Sequence, residues 1–149
     1  MSITNLGGSF SISTTAVNAD QTLSEFEALT YTPVGSIGNI GDTGISQNAV
    51  SYSTWDRPVL QKGKGEADAG SPTLEFLDVP SAGQDAMLAA ASFDDANNYA
   101  FLIEWPDGSK EYNRGLVMGP ARPKGGNEDF KRLVYTLGLQ QPPEIVDAT

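Results

Sequence analysis

A two-residue alternation of apolar and polar side chains recurs along this chain and restricts its fold more than any other feature. The alternating segments are 9–13, 50–54, 73–77, 99–105 and 133–139. Successive side chains of a β-strand point to opposite faces, so this period indicates strands that bury one face. Clusters of Gly, Pro, Asn and Asp separate the segments, as turns between short strands do. The chain is therefore predicted to be mainly β.

The clearest turn signal is the sequence Trp105-Pro106-Asp107-Gly108. Proline presets the backbone for a turn, and glycine accepts the positive φ that a turn requires. The apolar strand 99–105 is therefore predicted to fold back as a hairpin onto a strand from about 110 to 117.

One segment has the signals of a longer helix. Ser81-Ala82-Gly83-Gln84 fits a capping box, in which the serine caps the helix and the glutamine reaches back. The helix is predicted to cover about 82–92, with Met87, Leu88 and Ala91 on the face that packs against the sheet.

A second capping box, at 22–25, predicts a short helical stretch that carries Phe26 and Leu29. The fold class that follows is an antiparallel β-sandwich or small barrel with one flanking helix, at about 82–92. A long inter-strand loop is expected at about 55–70.

A chain of 149 residues, 39% of them hydrophobic, is suited to one domain with its own core. We expect a single domain over 1–149, with a flexible N-terminal arm at about 1–8 and a flexible C-terminal arm at about 140–149. No apolar run approaches the ~18 residues that span a bilayer, and the first residues lack the features of a secretory signal. We therefore expect that the protein does not insert into a membrane and that it is assembled in the cytoplasm.

The chain contains no cysteine and no histidine, which excludes disulfides, Cys/His zinc sites and the Ser-His-Asp triad. Gly35, Gly38 and Gly41 have the spacing GxxGxxG and not the dinucleotide fingerprint, so they indicate a kinked strand or close backbone approach. The aspartates show no EF-hand spacing. No catalytic, cofactor-binding or metal-binding residue is predicted.

The loop from Trp55 to Gly70 is longer than connections between strands usually are, roughly 4–6 residues. It mixes apolar with charged side chains, which favours a partner-binding loop over a disordered hairpin tip. Its candidate interface residues are Trp55, Arg57, Val59, Leu60, Lys62, Gly63, Lys64 and Asp68.

The net charge of −10 argues against binding to a nucleic-acid backbone, which needs clustered Lys and Arg. No basic residue precedes Arg57, and the nine basic residues lie in two zones, 57–64 and 110–132. Such asymmetry either steers copies of the protein onto each other or reflects scattered solvated side chains.

Several segments follow one another in a distinctive order: 26–31, 34–41, the strand 49–54, Lys62-Gly63 with Asp68 and Gly70, 83–88, 99–108 and 112–118. In order and spacing they resemble the tail tube proteins of siphophages over about residues 9–139. The chain departs from that family at Arg114, where an aromatic residue usually precedes the glycine.

The resemblance implies a major tail tube protein, with a β-sandwich or barrel subunit and a flanking helix. It implies hexameric rings whose strands join into one inner barrel, and stacking of the rings through the long loop and the chain ends. The tube would belong to the virion tail and would be assembled in the bacterial host cytoplasm. Its partners would be tape-measure, tail terminator and baseplate or tip proteins, and viral DNA would pass without specific binding.

An acidic channel wall would repel DNA phosphates and let DNA slide through. We therefore expect acidic side chains of the inner strands to face the channel, with Asp42, Glu75 and Glu111 as candidates.

Two other classes of function remain open from the sequence. A secretion-system tube protein would share the fold and the ring but pass effectors or a needle, and a gene transfer particle would keep the tube role. A small β-sandwich binding module would need exposed coplanar aromatic residues. The aromatic residues of 99–105 instead alternate on one face, as core residues do.

Overall fold

The computed structural model describes residues 6–56 and 58–147. Ten strands and two helices follow one another along the chain. They are β1 (Ser9–Ala16), α1 (Leu23–Glu27), β2 (Tyr31–Val34), β3 (Ile37–Ile40), β4 (Ser46–Tyr52), β5 (Gln61–Asp68), β6 (Thr73–Leu77), α2 (Ala82–Ala90), β7 (Tyr99–Glu104), β8 (Lys110–Ala121), β9 (Arg132–Leu139) and β10 (Glu144–Val146).

Eight strands form one antiparallel sheet in the order β2-β1-β7-β8-β9-β6-β3, with β10 added beside β8. The strands at the two ends of this order, β2 and β3, are joined by only Gly35 and Ser36. Three backbone steps span at most about 11 Å, whereas seven flat strands would separate the end strands by about 29 Å. The sheet must therefore curl until its two ends meet at this connection.

Helix α2 packs beside the junction of the two sheet ends. Ser81 caps the helix by accepting a hydrogen bond from the Gln84 amide. The Gln84 side chain is buried, and its Nε2 donates to the Leu77 carbonyl at 2.7 Å and to the Gly35 carbonyl at 3.3 Å. Gln84 therefore ties the end of β6 to the turn between β2 and β3, and does not complete the predicted capping box.

The main core lies on one face of the curled sheet and is covered by α2 through Met87 and Ala90. Its largest members are Phe10, Phe76, Phe101 and Tyr135, together with aliphatic residues of the same strands. Leu88, which was predicted to face the sheet, is 49% exposed, so that part of the helix prediction is wrong.

A second, smaller core lies on the opposite face of β7 and β8. It contains Val17, Phe26, Ala100 and Tyr112. The rings of Phe26 and Tyr112 stack with their centroids 5.5 Å apart, so the short helix α1 covers this face. The predicted capping box at 22–25 is confirmed, because Thr22 and Glu25 bond reciprocally.

The predictions of a mainly β antiparallel fold, a helix flanking the sheet, and a hairpin at 105–108 are confirmed. The long loop predicted for 55–70 is wrong in its extent, because β5 occupies Gln61–Asp68 and only 53–60 connects it to β4. The side chains of β5 are not buried, so its polar and glycine-rich sequence lacks the apolar alternation that predicts a strand. Within the described residues no helix is long and apolar enough to cross a membrane.

The C-terminal segment is docked, contrary to the flexible arm predicted for 140–149. Strand β10 pairs with β8 at Lys110–Tyr112, and Gln141 is buried. Residues 148–149 lie outside the described part, as do residues 1–5 of the predicted N-terminal arm. In the rest of that arm, Leu6 is exposed.

Replacing Gly83 with Ala should lower the free energy of unfolding by about 1–3 kcal/mol, because the added methyl would overlap the Pro33 carbonyl of β2. Gly35→Ala is the matched control, since its Cβ would meet nothing within 4 Å. Urea denaturation of both variants measures the difference. Equal midpoints would show that α2 does not pack against β2 as closely as described.

Candidate functional site

The β4–β5 hairpin is set apart from the rest of the molecule. The two strands form a separate two-stranded sheet, paired from Ser46 with Asp68 to Tyr52 with Gln61. Every side chain of β4 is exposed, although its alternating sequence predicted a half-buried strand. The pattern correctly identified a strand, but nothing in the described part of this chain covers its apolar side.

Among the described residues, five of the thirteen exposed large hydrophobic side chains lie on the hairpin and its tip. Val59 is 70% exposed and Leu60 is 47% exposed, and Trp55 is fully exposed. Val50 and Tyr52 add to this surface on β4. Contiguous exposed apolar surface on a soluble protein indicates a contact site.

The two faces of the hairpin differ in chemistry. Residues directly opposite each other in an antiparallel pair share a face. Lys62 opposes Ser51 and Lys64 opposes Ala49, so one face is cationic. Val50 opposes Gly63 on the other face, and its methyl groups lie over Gly63 and Gly65. The hairpin is therefore a two-sided ribbon, apolar on one side and basic on the other.

The structure brings most of the predicted interface residues together on this hairpin. Trp55, Val59 and Leu60 lie in the tip, while Lys62, Gly63, Lys64 and Asp68 lie in β5. Arg57 lies outside the described residues. No second chain is present, so their role at an interface stays a prediction.

The three acidic residues proposed for a channel wall lie in different environments. Asp42 is exposed in the connection that leads to the hairpin. Glu75 pairs with Arg132 at 2.9 Å. Glu111 is only 7% exposed, and its Oε2 accepts hydrogen bonds from Thr43 Oγ1 at 2.7 Å and Asn113 Nδ2 at 2.8 Å. Glu111 therefore offers little surface to a channel, and a place for it on the channel wall stays a prediction.

A cavity of about 450 Å³ opens beside Glu111, at one end of the curled sheet. Its walls are mainly apolar, with two carboxylates, and its lining includes Leu6, Ile37, Ile40, Ile103, Glu104 and Glu111. The glycines of 35–41 border this cavity and the junction of the sheet. A Cβ at Gly41 would lie 2.8 Å from the Thr73 amide nitrogen, which confirms the close backbone approach predicted there.

The chemistry of the described residues gives no sign of a reaction centre. No group of three or more acidic side chains among them could hold a metal ion. A hydrogen bond from the Tyr99 hydroxyl, at 2.6 Å, lowers the pKa of Asp95 and raises that of Tyr99 to about 12. Burial raises the pKa of Tyr31, and a hydrogen bond from Ser109 lowers the pKa of Asp107. These shifts move the pKa values away from neutrality, unlike those of catalytic acids and bases.

Two solved structures resemble this chain in fold. A chain from the sheath–tube complex of PVC, an extracellular contractile injection system, in its extended state has a TM-score of 0.59 and 13% identity. That alignment covers 95% of this chain and 88% of the other. A chain from the 6-fold symmetrised baseplate of the anti-feeding prophage (AFP) has a TM-score of 0.61 and 10% identity, covering 99% of both chains.

At such low identity the likeness shows a shared fold. The chain matches no protein-family profile and no curated protein sequence. The fold of this chain therefore also occurs in chains of injection particles. Membership of the siphophage tail tube family, which the sequence analysis suggested, stays a prediction.

Arg114, the departure from the family pattern, holds the C-terminal segment in place. The residue is 5% exposed. Its Nε donates to Gln141 Oε1 at 2.9 Å, and its Nη2 pairs with Asp20 at 2.6 Å. The Gln141 side chain in turn accepts a hydrogen bond from the Gln21 backbone amide and donates one to the Gln21 carbonyl. The sequence marked this position only as a departure from the resemblance, with an arginine where an aromatic residue usually precedes the glycine.

Arg114→Ala should lower the free energy of unfolding by about 1–3 kcal/mol, because the buried Gln141 side chain loses a donor. Hydrogen exchange should also become faster in Glu144–Val146. Lys131→Ala, which breaks the exposed ion pair with Asp78, serves as the control and should change stability by about 0–1 kcal/mol. Equal effects of the two variants would exclude Arg114 as the anchor of the C-terminal segment.

Proposed function

We propose that this chain is the subunit of a hollow tube, built from stacked hexameric rings, in a phage tail or a phage-derived injection particle. The β4–β5 hairpin is the observation that carries the proposal. It projects an apolar tip and a basic face that no described residue of the same chain covers. The likeness in fold to chains of two injection particles supports the same role.

Burial of the hairpin tip on a second copy supplies the energy for stacking. Full burial of Val59 and Leu60, which are 70% and 47% exposed, would contribute about 1–2 kcal/mol each. A hairpin that binds a different surface of the next copy makes a head-to-tail contact, which repeats along an open filament when the rotation does not close. The contribution is then multiplied along the tube, whereas a single subunit gains nothing from it.

Ring formation would use unpaired strand edges. The ends of the main sheet meet at Gly35 and Ser36 beside α2, whereas β4 and β5 form a sheet of their own, and no described strand pairs with the outer edge of either. Unpaired strand edges are templates for pairing with another chain. Six copies that pair through such edges would close a ring and remove the exposed edges.

We further propose that the tube is the non-contractile tail tube of a siphophage, as the order of sequence segments suggests. Its channel would conduct DNA, which the net charge of −10 suits because like charges prevent DNA from sticking. The tube would be part of the virion and assemble in the host cytoplasm around a tape-measure protein, between baseplate or tip proteins and a tail terminator. A non-enzymatic role accords with the absence of cysteine and histidine.

A tube protein of a contractile injection or secretion system is the second candidate, and the fold likeness to PVC and AFP chains favours it. The genes beside this one distinguish the two. A sheath gene would indicate a contractile particle, whereas a tape-measure gene and a tail terminator gene without a sheath gene would indicate a siphophage.

A carbohydrate- or surface-binding module has less support. Tyr99 and Trp105 pack against the main core, together with buried Phe101 and Ile103. The ring pairs among the described residues are all formed by core aromatics. The exposed aromatic residues Tyr52, Trp55, Phe93 and Phe130 take part in none of these ring pairs.

Purified protein should form hollow tubes in electron micrographs, or remain monomeric until an initiator complex is added. Replacing Val59 and Leu60 with Ser should leave a folded monomer that makes no tubes, since the stacking surface is lost. Leu88→Ser is the control, because Leu88 is 49% exposed on α2 and Leu60 is 47% exposed on the hairpin. Normal tubes from the tip variant would refute the stacking role of the hairpin.

A map of the assembled tube should show a channel lined by acidic and uncharged polar side chains. Asp42 is the candidate with the most accessible carboxylate, and Glu75 is the next, because it is half-buried beside Arg132. A channel lined mainly by Lys and Arg would contradict a DNA-repelling wall.

A further inference from the structure

The cavity beside Glu111 has an apolar wall and an acidic part. Its apolar wall includes Ile37, Ile40 and Ile103, while Glu104 and Glu111 supply negative charge. Its volume of about 450 Å³ falls within the roughly 300–1,000 Å³ typical of occupied binding sites. The chemistry fits an occupant with apolar side chains next to a cation.

The hydrogen-bond donors to the side chain of Glu111 are both neutral. Its buried carboxylate accepts hydrogen bonds from the neutral side chains of Thr43 and Asn113. Neither Glu111 nor Glu104 takes part in the ion pairs found among the described residues, although Lys110 lies opposite Glu104 on β8. Buried charges are normally paired, so a cation delivered from outside would complete this site.

The β4–β5 hairpin has the complementary chemistry. Val59 and Leu60 are exposed at its tip, and Lys62 follows two residues after Leu60 on the basic face. Lys62 and Lys64 are exposed, and neither forms one of the ion pairs seen within the described residues. The apolar tip and basic face of the hairpin therefore match the apolar wall and the two carboxylates of the cavity.

The hairpin of a chain cannot reach the cavity of the same chain. Thr43 lines the cavity and is only three residues before Ser46, where the hairpin begins. The seven residues of β4 extend about 20 Å, at roughly 3.4 Å per residue, so the tip lies far from its own root. A hairpin that fills this cavity must therefore come from a second copy.

We propose that the cavity lined by Ile37, Ile40, Ile103, Glu104 and Glu111 is the receptor for the β4–β5 hairpin tip of a neighbouring subunit. Val59 and Leu60 fill the apolar part, and Lys62 pairs with Glu104, the more accessible of its two carboxylates. The contact is head-to-tail, because the donor and receptor surfaces of one chain are different. This inference rests on the proposed tube function and names the surface to which the hairpin binds.

Cysteine cross-linking tests the contact directly, because the natural chain has no cysteine. Leu60→Cys and Asn39→Cys, which places the thiol in the cavity lining, are prepared separately, mixed under assembly conditions and oxidised. The yield of disulfide-linked dimer in this mixture should be at least about tenfold higher than in a control mixture of Leu60→Cys with Ala89→Cys, whose thiol lies on the exposed side of α2.

Charge reversal provides the second test. Glu104→Lys or Lys62→Glu alone should raise the protein concentration needed for assembly by roughly tenfold. The double variant should recover most of the loss, because the ion pair is restored with opposite polarity. Asp94→Lys is the matched control, because it reverses an exposed charge after the end of α2, outside the cavity lining, and should leave the assembly concentration unchanged.

Several outcomes would overturn the receptor assignment. Suppose that wild-type tubes form but Leu60→Cys cross-links equally to Asn39→Cys and Ala89→Cys, or that the double charge variant does not recover assembly. The hairpin then binds elsewhere and the tube function stands. If Ile3→Cys with Asn39→Cys forms an intramolecular disulfide in tubes, the N-terminal segment of the same chain is the occupant. If no assembly forms even with an initiator complex, both the receptor and the tube function fail.

Discussion

The meeting of the two sheet ends is the constraint on which the rest of the molecule depends. Because Gly35 and Ser36 alone join β2 to β3, the sheet has to curl, and its inner face becomes a closed core. Gln84 then bonds the carbonyls of Gly35 and Leu77, so α2 fastens the junction. The absence of a side chain at Gly83 lets the helix approach β2 closely enough to do so.

Curling also explains why the β4–β5 hairpin is exposed. Side chains of the other strands and of α2 fill the core. The β4–β5 hairpin, which lies between β3 and β6 in the sequence, therefore finds no open face of the main sheet on which to pack. Its apolar residues are a liability in a free subunit, since exposed apolar surface promotes association. In a protein that assembles, the same residues give the subunit a defined site of contact.

Residue type and position were predictable for the candidate interface, but its geometry was not. The mixture of apolar and basic residues after Trp55 indicated a partner-binding segment. Residues 61–68 were assigned to a loop because Lys62, Gly63 and Lys64 show none of the burial pattern that identifies a strand. The cavity was not predicted, since Ile40, Ile103 and Glu111 come from three strands, and the first of these is distant in sequence from the other two.

The sequence by itself determined six of the ten strands (β1, β4 and β6–β9), the turn at 105–108 and the two helix starts, because two-residue alternation, turn residues and caps act between near neighbours. It also determined the absence of cysteine and histidine chemistry. Only the tertiary structure decided that Leu88 is exposed, that Glu111 is buried and that Arg114 anchors the C-terminal segment through Gln141. Those outcomes depend on contacts between residues far apart in the chain, which local patterns do not specify.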